Sequence, residues 1–208
     1  INPANAADLL AQTGTALVQK SQLGGGSPIL RGFEANKVLY VVDGVRMNNA
    51  IYRGGHLQDI LSLDPMAMEN VEVAYGPSAV AYGSDALGGV MSFNTRSPRF
   101  TSGDRLVRGN AMLRYSSANQ SATHLNLETS TARFATFTAF TFNNFGDLRQ
   151  GNIRNPNYPS FGARPWYVER INNRDSVITN PNPNVQVGSG YKQYDFLEKI
   201  SFKQSDKL

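Results

Sequence analysis

The pattern of apolar and polar positions divides the chain into two parts. From Val107 onward, apolar residues recur at every second position in four runs, at 107–116, 124–128, 140–143 and 193–202. A two-residue period predicts strands with one apolar and one polar face. Runs of about ten residues with this period are typical of transmembrane β-barrels. A soluble antiparallel sheet with its apolar face inward has the same period, so the pattern alone leaves both possibilities open.

Two residues and one long connection interrupt this alternation. In the last run, Leu197 falls among the polar positions and Glu198 among the apolar ones. Short polar stretches at 117–120 and 130–132 predict tight turns, whereas residues 146–190 contain 8 asparagines, 5 prolines and 5 glycines. A segment of that length and composition predicts an irregular loop, which is rare in compact domains and common on the outer side of β-barrels.

The residues before Val107 predict shorter and more varied elements. A helix is predicted over residues 6–11, with Asn2 or Asn5 as its cap and Gly14 at its end. Asp8 lies in its first turn, where the helix dipole favours an acidic side chain. Strands are predicted at 17–20, 29–33, 38–42, 71–73 and 90–94. A loop is predicted at 24–28, an irregular polar segment at 45–58 and short helical turns within 59–68. Together these elements indicate a small α+β domain.

Composition narrows the class of protein. Of the 208 residues, 40% are hydrophobic and 17% are charged, against roughly 25% charged in a usual soluble domain. Apolar runs fall short of the roughly 18 residues that a transmembrane helix needs, which excludes a helical membrane protein. The absence of cysteine excludes disulfide scaffolds, thiolate metal sites and cysteine nucleophiles. With only two histidines, far apart in sequence, a metal site built from this chain is not expected.

Charge and glycine are unevenly distributed along the chain. Residues 1–98 carry 6 basic and 8 acidic side chains, whereas residues 99–208 carry 14 basic and 8 acidic ones. Twelve of the 19 glycines lie in the first part. The shift falls at Ser97, Pro98 and Arg99, which predicts a domain boundary there. The net charge of +4 does not require a nucleic-acid partner, and we expect none.

Three stretches resemble the plug domain of TonB-dependent outer-membrane receptors. They are ILRGF at 29–33, VLYVVDGVRMNN at 38–49 and VEVAYGPSAVAYGSDALGGV at 71–90. Their order and spacing, with the change to strand alternation after Pro98, extend the resemblance over essentially the whole chain. The third stretch lacks the Lys-Asp-Ala-Ser sequence associated with the plugs of large glycan importers, which makes a glycan substrate less expected.

The resemblance implies a fold. Residues 1–98 correspond to an α+β plug domain. Residues 99–208 correspond to the first four antiparallel strands of a transmembrane β-barrel, which has about 22 strands in plugged transporters of this kind. The first outer loop is then short, and the second, residues 146–190, is long. Four strands cannot close a barrel, so we expect the chain to be part of a larger protein or assembly.

The resemblance also implies a function, a location and partners. Family members import a scarce nutrient through the outer membrane of Gram-negative bacteria, and the plug gates the barrel. The nutrient here would be an iron–siderophore, haem, cobalamin or a similar solute, with no enzymatic activity and no resident cofactor. The implied partners are the TonB–ExbB–ExbD energy-transducing complex, outer-membrane lipid, the nutrient and the remaining barrel. The alternative is a non-transport outer-membrane receptor or assembly component that retains a plugged barrel.

Two sets of residues are candidates for function. In the family, ligands meet the plug at loops that here correspond to residues 21–28 and 46–58. The second loop supplies arginine, amide and aromatic groups that suit a polar or anionic ligand, although each could instead bond within the loop. The candidate ligand-binding residues are Arg46, Asn48, Asn49, Tyr52, Arg53 and His56. His56 suits either axial ligation of haem or an ordinary loop position. The candidate contacts between plug and barrel are Arg31, which resembles a family arginine that meets barrel glutamates, with Arg108, Arg114 and Glu128.

Overall fold

The computed structural model describes residues 6–14, 16–22, 25–33, 37–47, 60, 63–76, 81–83, 86–117 and 120–204. Within them, the helix α1 covers Ala6–Thr13. The strands are β1 (Leu17–Gln22), β2 (Gly25–Ile29), β3 (Val38–Val42), β4 (Val45–Arg46), β5 (Met68–Ala74), β6 (Gly89–Thr95), β7 (Leu106–Ser116), β8 (Gln120–Ser130), β9 (Phe134–Phe145), β10 (Leu148–Arg149), β11 (Trp166–Ile171), β12 (Arg174–Thr179), β13 (Val185–Gln186) and β14 (Tyr191–Phe202). No helix in this part of the chain is long and apolar enough to cross a membrane.

The first half of the chain forms the predicted α+β unit. Strands β4, β3, β6 and β5 make a mixed sheet in that order, with β3 and β6 parallel at its centre. Helix α1 and the β1–β2 hairpin pack against this sheet through a buried apolar cluster that includes Leu10, Leu30, Tyr40 and Phe93. Burial of each large apolar side chain stabilises the unit by roughly 1.5–3 kcal/mol. Helix α1 ends as predicted at Gly14, whose φ of +70° only glycine adopts readily; Asn2 and Asn5 lie outside the described residues.

Three predictions in this half were wrong. Residues 25–28, expected in a loop, belong to strand β2, because their extended backbone pairs with β1 from Leu17 to Gln22. Residues 29–33 were expected as a strand; Ile29 ends β2, but residues 30–33 make a tight turn in which Leu30 and Phe33 exchange two backbone hydrogen bonds of 2.8 Å. Residues 45–46, expected to be irregular, form strand β4 after the predicted Asp-Gly turn. In each case the pairing partner, rather than local propensity, decides the conformation.

The second half contains a four-stranded antiparallel meander in the order β7, β8, β9, β14. All four strands were predicted from the alternation of apolar and polar residues. One face of the meander is apolar and exposed, with Leu113 and Tyr115 at 81% and 82% exposure. On the opposite face, Phe137 and Thr141 are only 2% and 0% exposed, because the first half of the chain covers them. We call these the outer face and the inner face.

The two residues that interrupt the alternation each have a specific partner. Glu198 lies on the outer face and accepts a hydrogen bond of 2.5 Å from Thr138 Oγ1, its neighbour in register on β9. Leu197 lies on the inner face, where it packs against the cluster of Ala67, Phe137 and Ala139. The interruptions therefore mark contacts between elements rather than errors in the strand assignment.

The long connection at 146–190 is more regular than predicted. It contains the paired strands β10 and β13 and the hairpin of β11 and β12. Asn172 and Asn173 form the tip of that hairpin with φ of +49° and +63°, a conformation that asparagine tolerates better than most residues. Buried Asn180 closes the loop by donating from Nδ2 to the carbonyls of Arg164 and Val185, both at 2.8 Å. The expectation of an irregular loop was therefore wrong, since its asparagines build turns.

Candidate functional site at the inner face of the meander

The inner face of the meander meets the first half of the chain and forms the candidate site. Residues in register on neighbouring strands present their side chains to the same face, so each row of the inner face receives one side chain per strand. One row consists of Met112, His124, Thr141 and Asp195, and another of Arg108, Glu128, Phe137 and Lys199. In each of these two rows, three positions are polar or charged and one is apolar. We also call the inner face the wall.

Asp43 and Lys199 form an ion pair across this contact. Asp43 follows β3 in a turn with φ of +48°, and its Oδ2 lies 3.0 Å from Lys199 Nζ on β14. Lys199 Nζ also donates to the carbonyl of Thr95 at 3.1 Å and to Ser97 Oγ at 3.3 Å. One ammonium group on the meander thus binds the ends of both central strands of the mixed sheet.

Thr95 and Lys199 together keep Asp43 ionised. Partial burial by itself raises the pKa of this carboxyl group. That effect is outweighed by hydrogen bonds from Thr95 Oγ1 at 2.6 Å and Thr95 N–H at 2.9 Å, and by the hydrogen bond and charge of Lys199. The pKa of Asp43 therefore lies below its ordinary value.

A second contact is a buried chain of polar groups centred on Asp64. Its Oδ1 accepts the N–H of Met66 at 3.0 Å, which fixes the turn before β5. Its Oδ2 accepts the hydroxyl of Thr141 on β9 at 2.5 Å. Thr141 Oγ1 lies 2.6 Å from His124 Nδ1 on β8, and His124 Nε2 lies 3.0 Å from Asn126 Nδ2. The side chains of Asp64 and His124 are 8% and 4% exposed, so this chain of hydrogen bonds is shielded from water.

A small apolar contact lies beside these polar groups. Ala67, 3% exposed, packs in a cluster with Phe137 and Ala139 of the inner face. The guanidinium of Arg96 lies over the ring of Phe137, with 5.2 Å between its Cζ and the ring centroid. Arg96 N–H also donates to the carbonyl of Ala67 at 2.9 Å, so the two residues reach the wall together.

The predicted contact residues Arg108 and Glu128 face each other in register and line a cavity of about 570 Å³. Met68, Glu69 and Arg96 of the first half line the same cavity, as do Ser97, Arg99, Phe100, Thr101, Ser102, Leu106, Ser130 and Phe137. Beside it, Arg99 Nη2 donates to Glu69 Oε1 at 2.5 Å, an exposed pair that contributes little to stability. The wall and the first half therefore remain separated by space here rather than packed together.

The other predicted contact residues lie elsewhere. Arg31 sits in the Leu30–Phe33 turn with φ of +49°, and its Cζ lies 4.5 Å from the ring centroid of Tyr75, in its own half of the chain. Arg114 lies opposite Ala122 on the meander. The contact of Arg31 with barrel glutamates and that of Arg114 with the plug stay predictions.

Sequence reasoning missed the residues that hold the contact, which are Asp43, Asp64, His124, Thr141 and Lys199. The three on strands fall on the polar side of the alternation, and that signal identified their face. The two aspartates lie in turns, where an acidic side chain is common for local reasons, so nothing in the sequence distinguished them.

Of the six candidate ligand-binding residues, Arg46 is described. It ends β4, and a Cβ at Gly83 would lie 3.8 Å from both its Nη atoms. Asn48, Asn49, Tyr52, Arg53 and His56 lie outside the described residues. Among the residues that the structure describes, no group of three or more histidine and acidic side chains is placed to hold a metal ion.

Comparison with known proteins connects this architecture to a family. The family described as TonB-dependent Receptor Plug Domain matches residues 2–90. The hemin receptor of Yersinia pestis is 39% identical over 93 residues, which cover 44% of this chain and 13% of that protein. The vitamin B12 transporter BtuB of Vibrio vulnificus is 37% identical over 110 residues, covering 51% of this chain and 18% of that protein. The chain therefore spans less than a fifth of the length of these curated relatives.

Solved structures share the fold of nearly all of this sequence. The copper transporter OprC superposes with a TM-score of 0.74 at 17% identity, over 99% of this chain and 26% of that structure. The FrpB iron transporter from Neisseria meningitidis superposes with a TM-score of 0.66 at 17% identity, over 97% of this chain and 27% of that one. The predicted order of elements, a plug followed by antiparallel barrel strands, is confirmed. Residues 2–90 therefore match the plug domain of TonB-dependent receptors, and nearly the whole chain shares the fold of a plug followed by antiparallel strands.

Proposed function

We propose that this chain is the gating part of a TonB-dependent importer that carries a scarce nutrient across the Gram-negative outer membrane. The observation that carries the proposal is the position of the plug. It packs on the polar inner face of a meander whose outer face is apolar and exposed. An apolar outer face suits lipid, and a polar inner face suits a domain that is surrounded by water when it moves.

The composition of the contact supports a gate rather than a permanent core. Its polar part consists of the ion pair of Asp43 with Lys199 and the chain that starts at Asp64. Hydrogen bonds to charged groups such as these exchange for bonds to water at a net cost of about 1.5–3 kcal/mol each. The apolar part around Ala67 is small. A plug held in this way is located accurately and can still be displaced by an external force.

The proposed division of labour follows the composition of the chain. We assign residues 1–98 to the plug and residues 99–208 to the first barrel strands, with the boundary at Pro98. Further strands of the same barrel would pair with the open edges of β7 and β14, since an unpaired strand edge is costly at membrane depth. The segment 146–190 is assigned to the outer side, and the TonB–ExbB–ExbD complex supplies the energy for displacement.

The nutrient is proposed to be a metal-bearing solute such as haem, an iron–siderophore or cobalamin. Support comes from the names of the relatives, which are hemin receptors and vitamin B12 transporters. On the plug, Arg46 and the segment that contains Arg53 and His56 remain the proposed ligand contacts. Guanidinium groups and an imidazole suit the carboxylates and the metal of such ligands.

Uptake by cells that produce the full-length receptor tests this function. Labelled haem, ferric siderophores and cobalamin are supplied separately to cells with and without TonB, and a strain without the receptor serves as the control. We expect saturable uptake of one of these nutrients that needs both the receptor and TonB. If the receptor reaches the outer membrane and none of them enters in a TonB-dependent way, the import function is refuted and the non-transport receptor is favoured.

A further inference from the structure

We propose that His124 is a positioning residue for the plug, held as a neutral imidazole with its proton on Nδ1. The reason is the direction of the buried hydrogen-bond chain that runs from Asn126 through His124 and Thr141 to Asp64. Its role in gating rests on the proposed function, whereas the tautomer follows from the geometry alone.

The carboxylate at one end sets the direction of the whole chain. An ionised carboxylate only accepts hydrogen bonds, so the Thr141 hydroxyl donates its single proton to Asp64 Oδ2 at 2.5 Å. Thr141 Oγ1 then has only lone pairs left for its second neighbour. His124 Nδ1, at 2.6 Å, must therefore carry the proton in this contact. In a neutral ring the other nitrogen is an acceptor, and Asn126 Nδ2 lies 3.0 Å from Nε2 to donate to it.

Neighbouring groups leave this direction intact. Asp195 lies beside Thr141 in register, but its two oxygens accept from Gln193 Nε2 at 2.9 and 3.1 Å. The other oxygen of Asp64 is occupied by the N–H of Met66. Each link of the chain thus has one donor and one acceptor. Reversal of any single link would place two donors or two acceptors against each other in a buried site, which is unfavourable.

The consequence is that β8 takes part in docking a plug residue it does not reach directly. His124 Nδ1 lies 3.6 Å from Asp64 Oδ2, beyond hydrogen-bond distance, and acts through the hydroxyl of Thr141. Because His124 Nδ1 donates to a lone pair of Thr141 Oγ1, the hydroxyl proton of Thr141 is directed at Asp64 of the plug. The position of Thr141 and the direction of its hydroxyl proton together define one binding position for Asp64 on the wall.

Nitrogen NMR on the full-length receptor tests the tautomer. The protein is labelled with ¹⁵N-histidine, and the His124 signals are identified by their loss in His124→Asn. At neutral pH we expect a protonated Nδ1 and an unprotonated Nε2. Asp64→Asn should abolish this single pattern because an amide can donate as well as accept, whereas Asp195→Asn should leave it unchanged. A proton on Nε2, or protons on both nitrogens, overturns the proposal.

A pair of substitutions tests the positioning role independently of import. Asparagine places an N–H near the position of Nδ1, whereas glutamine places it near that of Nε2. The reporter is the thiol of Ala67→Cys, since Ala67 is 3% exposed and this chain has no other cysteine. We expect His124→Asn to keep the parental labelling rate and His124→Gln to raise it about tenfold, as for one lost buried hydrogen bond. Equal rates in the two variants overturn the positioning role, and failure of uptake alone would bear only on the proposed function.

Discussion

Replacement of Lys199 by methionine should weaken the attachment of the ends of β3 and β6 to the meander. Methionine keeps the side chain as far as Cε but removes the ammonium, and with it the contacts to Asp43 at 3.0 Å, the Thr95 carbonyl at 3.1 Å and Ser97 Oγ at 3.3 Å. Lys192→Met is the matched control, because Lys192 lies exposed near the other end of β14.

The size of the effect follows from the exposure of the pair. Fully exposed ion pairs contribute about 0–1 kcal/mol, and hydrogen bonds to charged groups contribute about 1.5–3 kcal/mol. Asp43 and Lys199 are 33% and 23% exposed, so their contact belongs between these limits. Asp43 keeps both of its hydrogen bonds from Thr95, which limits the loss. We therefore expect a cost of about 1–2 kcal/mol, equivalent to a factor of roughly 5–30 in the opening equilibrium.

Hydrogen exchange on the full-length receptor measures this change. Peptides that cover residues 38–43 and 89–95 should exchange roughly 5–30 times faster in Lys199→Met than in the parent. The same peptides should be unchanged in Lys192→Met. If the two variants exchange alike, or if Lys199→Met leaves β3 and β6 as protected as in the parent, Lys199 does not hold the plug.

The dependence of this effect on pH has a definite sign. The pKa of Asp43 lies below its ordinary value, so the contribution of this carboxylate to stability is present above about pH 4. It is lost as the pH falls through the lowered pKa, because the protonated group no longer attracts Lys199. The difference between Lys199→Met and the parent should therefore be constant near neutral pH and should shrink in acid. A difference that persists unchanged in strong acid would refute the ionic part of the reasoning.

Three further substitutions have defined outcomes. Gly89→Ala should destabilise the plug by about 1–3 kcal/mol in the same exchange assay, since Gly89 has φ of +141° and a Cβ there would lie 2.8 Å from the Ala74 carbonyl oxygen. Glu198→Leu should raise the melting temperature of the barrel, because Glu198 lies on the apolar outer face, where Thr138 is its hydrogen-bond partner among the described residues; an unchanged or lower melting temperature would contradict this. His56→Ala should abolish haem binding if haem is the nutrient, and an unaltered affinity in a titration would remove His56 from the site.

The sequence predicted the long strands well and the short ones poorly, for a physical reason. In β7, β8, β9 and β14 an apolar outer face alternates with a largely polar inner face, so a single two-residue period runs through ten or more positions. Strand β2 has no such asymmetry, and its glycines adopt an extended conformation only because β1 pairs with them. Local composition then indicates a loop, whereas the partner strand imposes the structure.

The candidate site was harder to predict because contacts join distant residues. The alternation placed Lys199 on the polar face, but its partner Asp43 lies more than 150 positions earlier. Asp43 belongs to an Asp-Gly turn, where an aspartate is expected for local reasons alone. For Arg31, the resemblance suggested a contact with barrel glutamates, which stays a prediction; within the described residues its side chain lies over Tyr75. Sequence alone identified the polar wall, and only the fold could pair its members with the plug.

The distribution of these contacts also explains how the plug can have a defined position on the wall and still be displaced from it. Separating an apolar interface costs roughly 25 cal/mol of free energy for each Å² of apolar surface exposed. Such an interface does little to fix the relative orientation of the two surfaces when they associate again. The hydrogen-bond chain ending at Asp64 and the ion pair of Asp43 exchange for bonds to water at about 1.5–3 kcal/mol for each bond, yet each is satisfied in only one arrangement. Since the two carboxylates reach different strands, β9 and β14, both bonds can form only when the plug has one orientation on the wall. If the proposed import function holds, a plug displaced during transport returns to the same position without a large apolar surface to guide it.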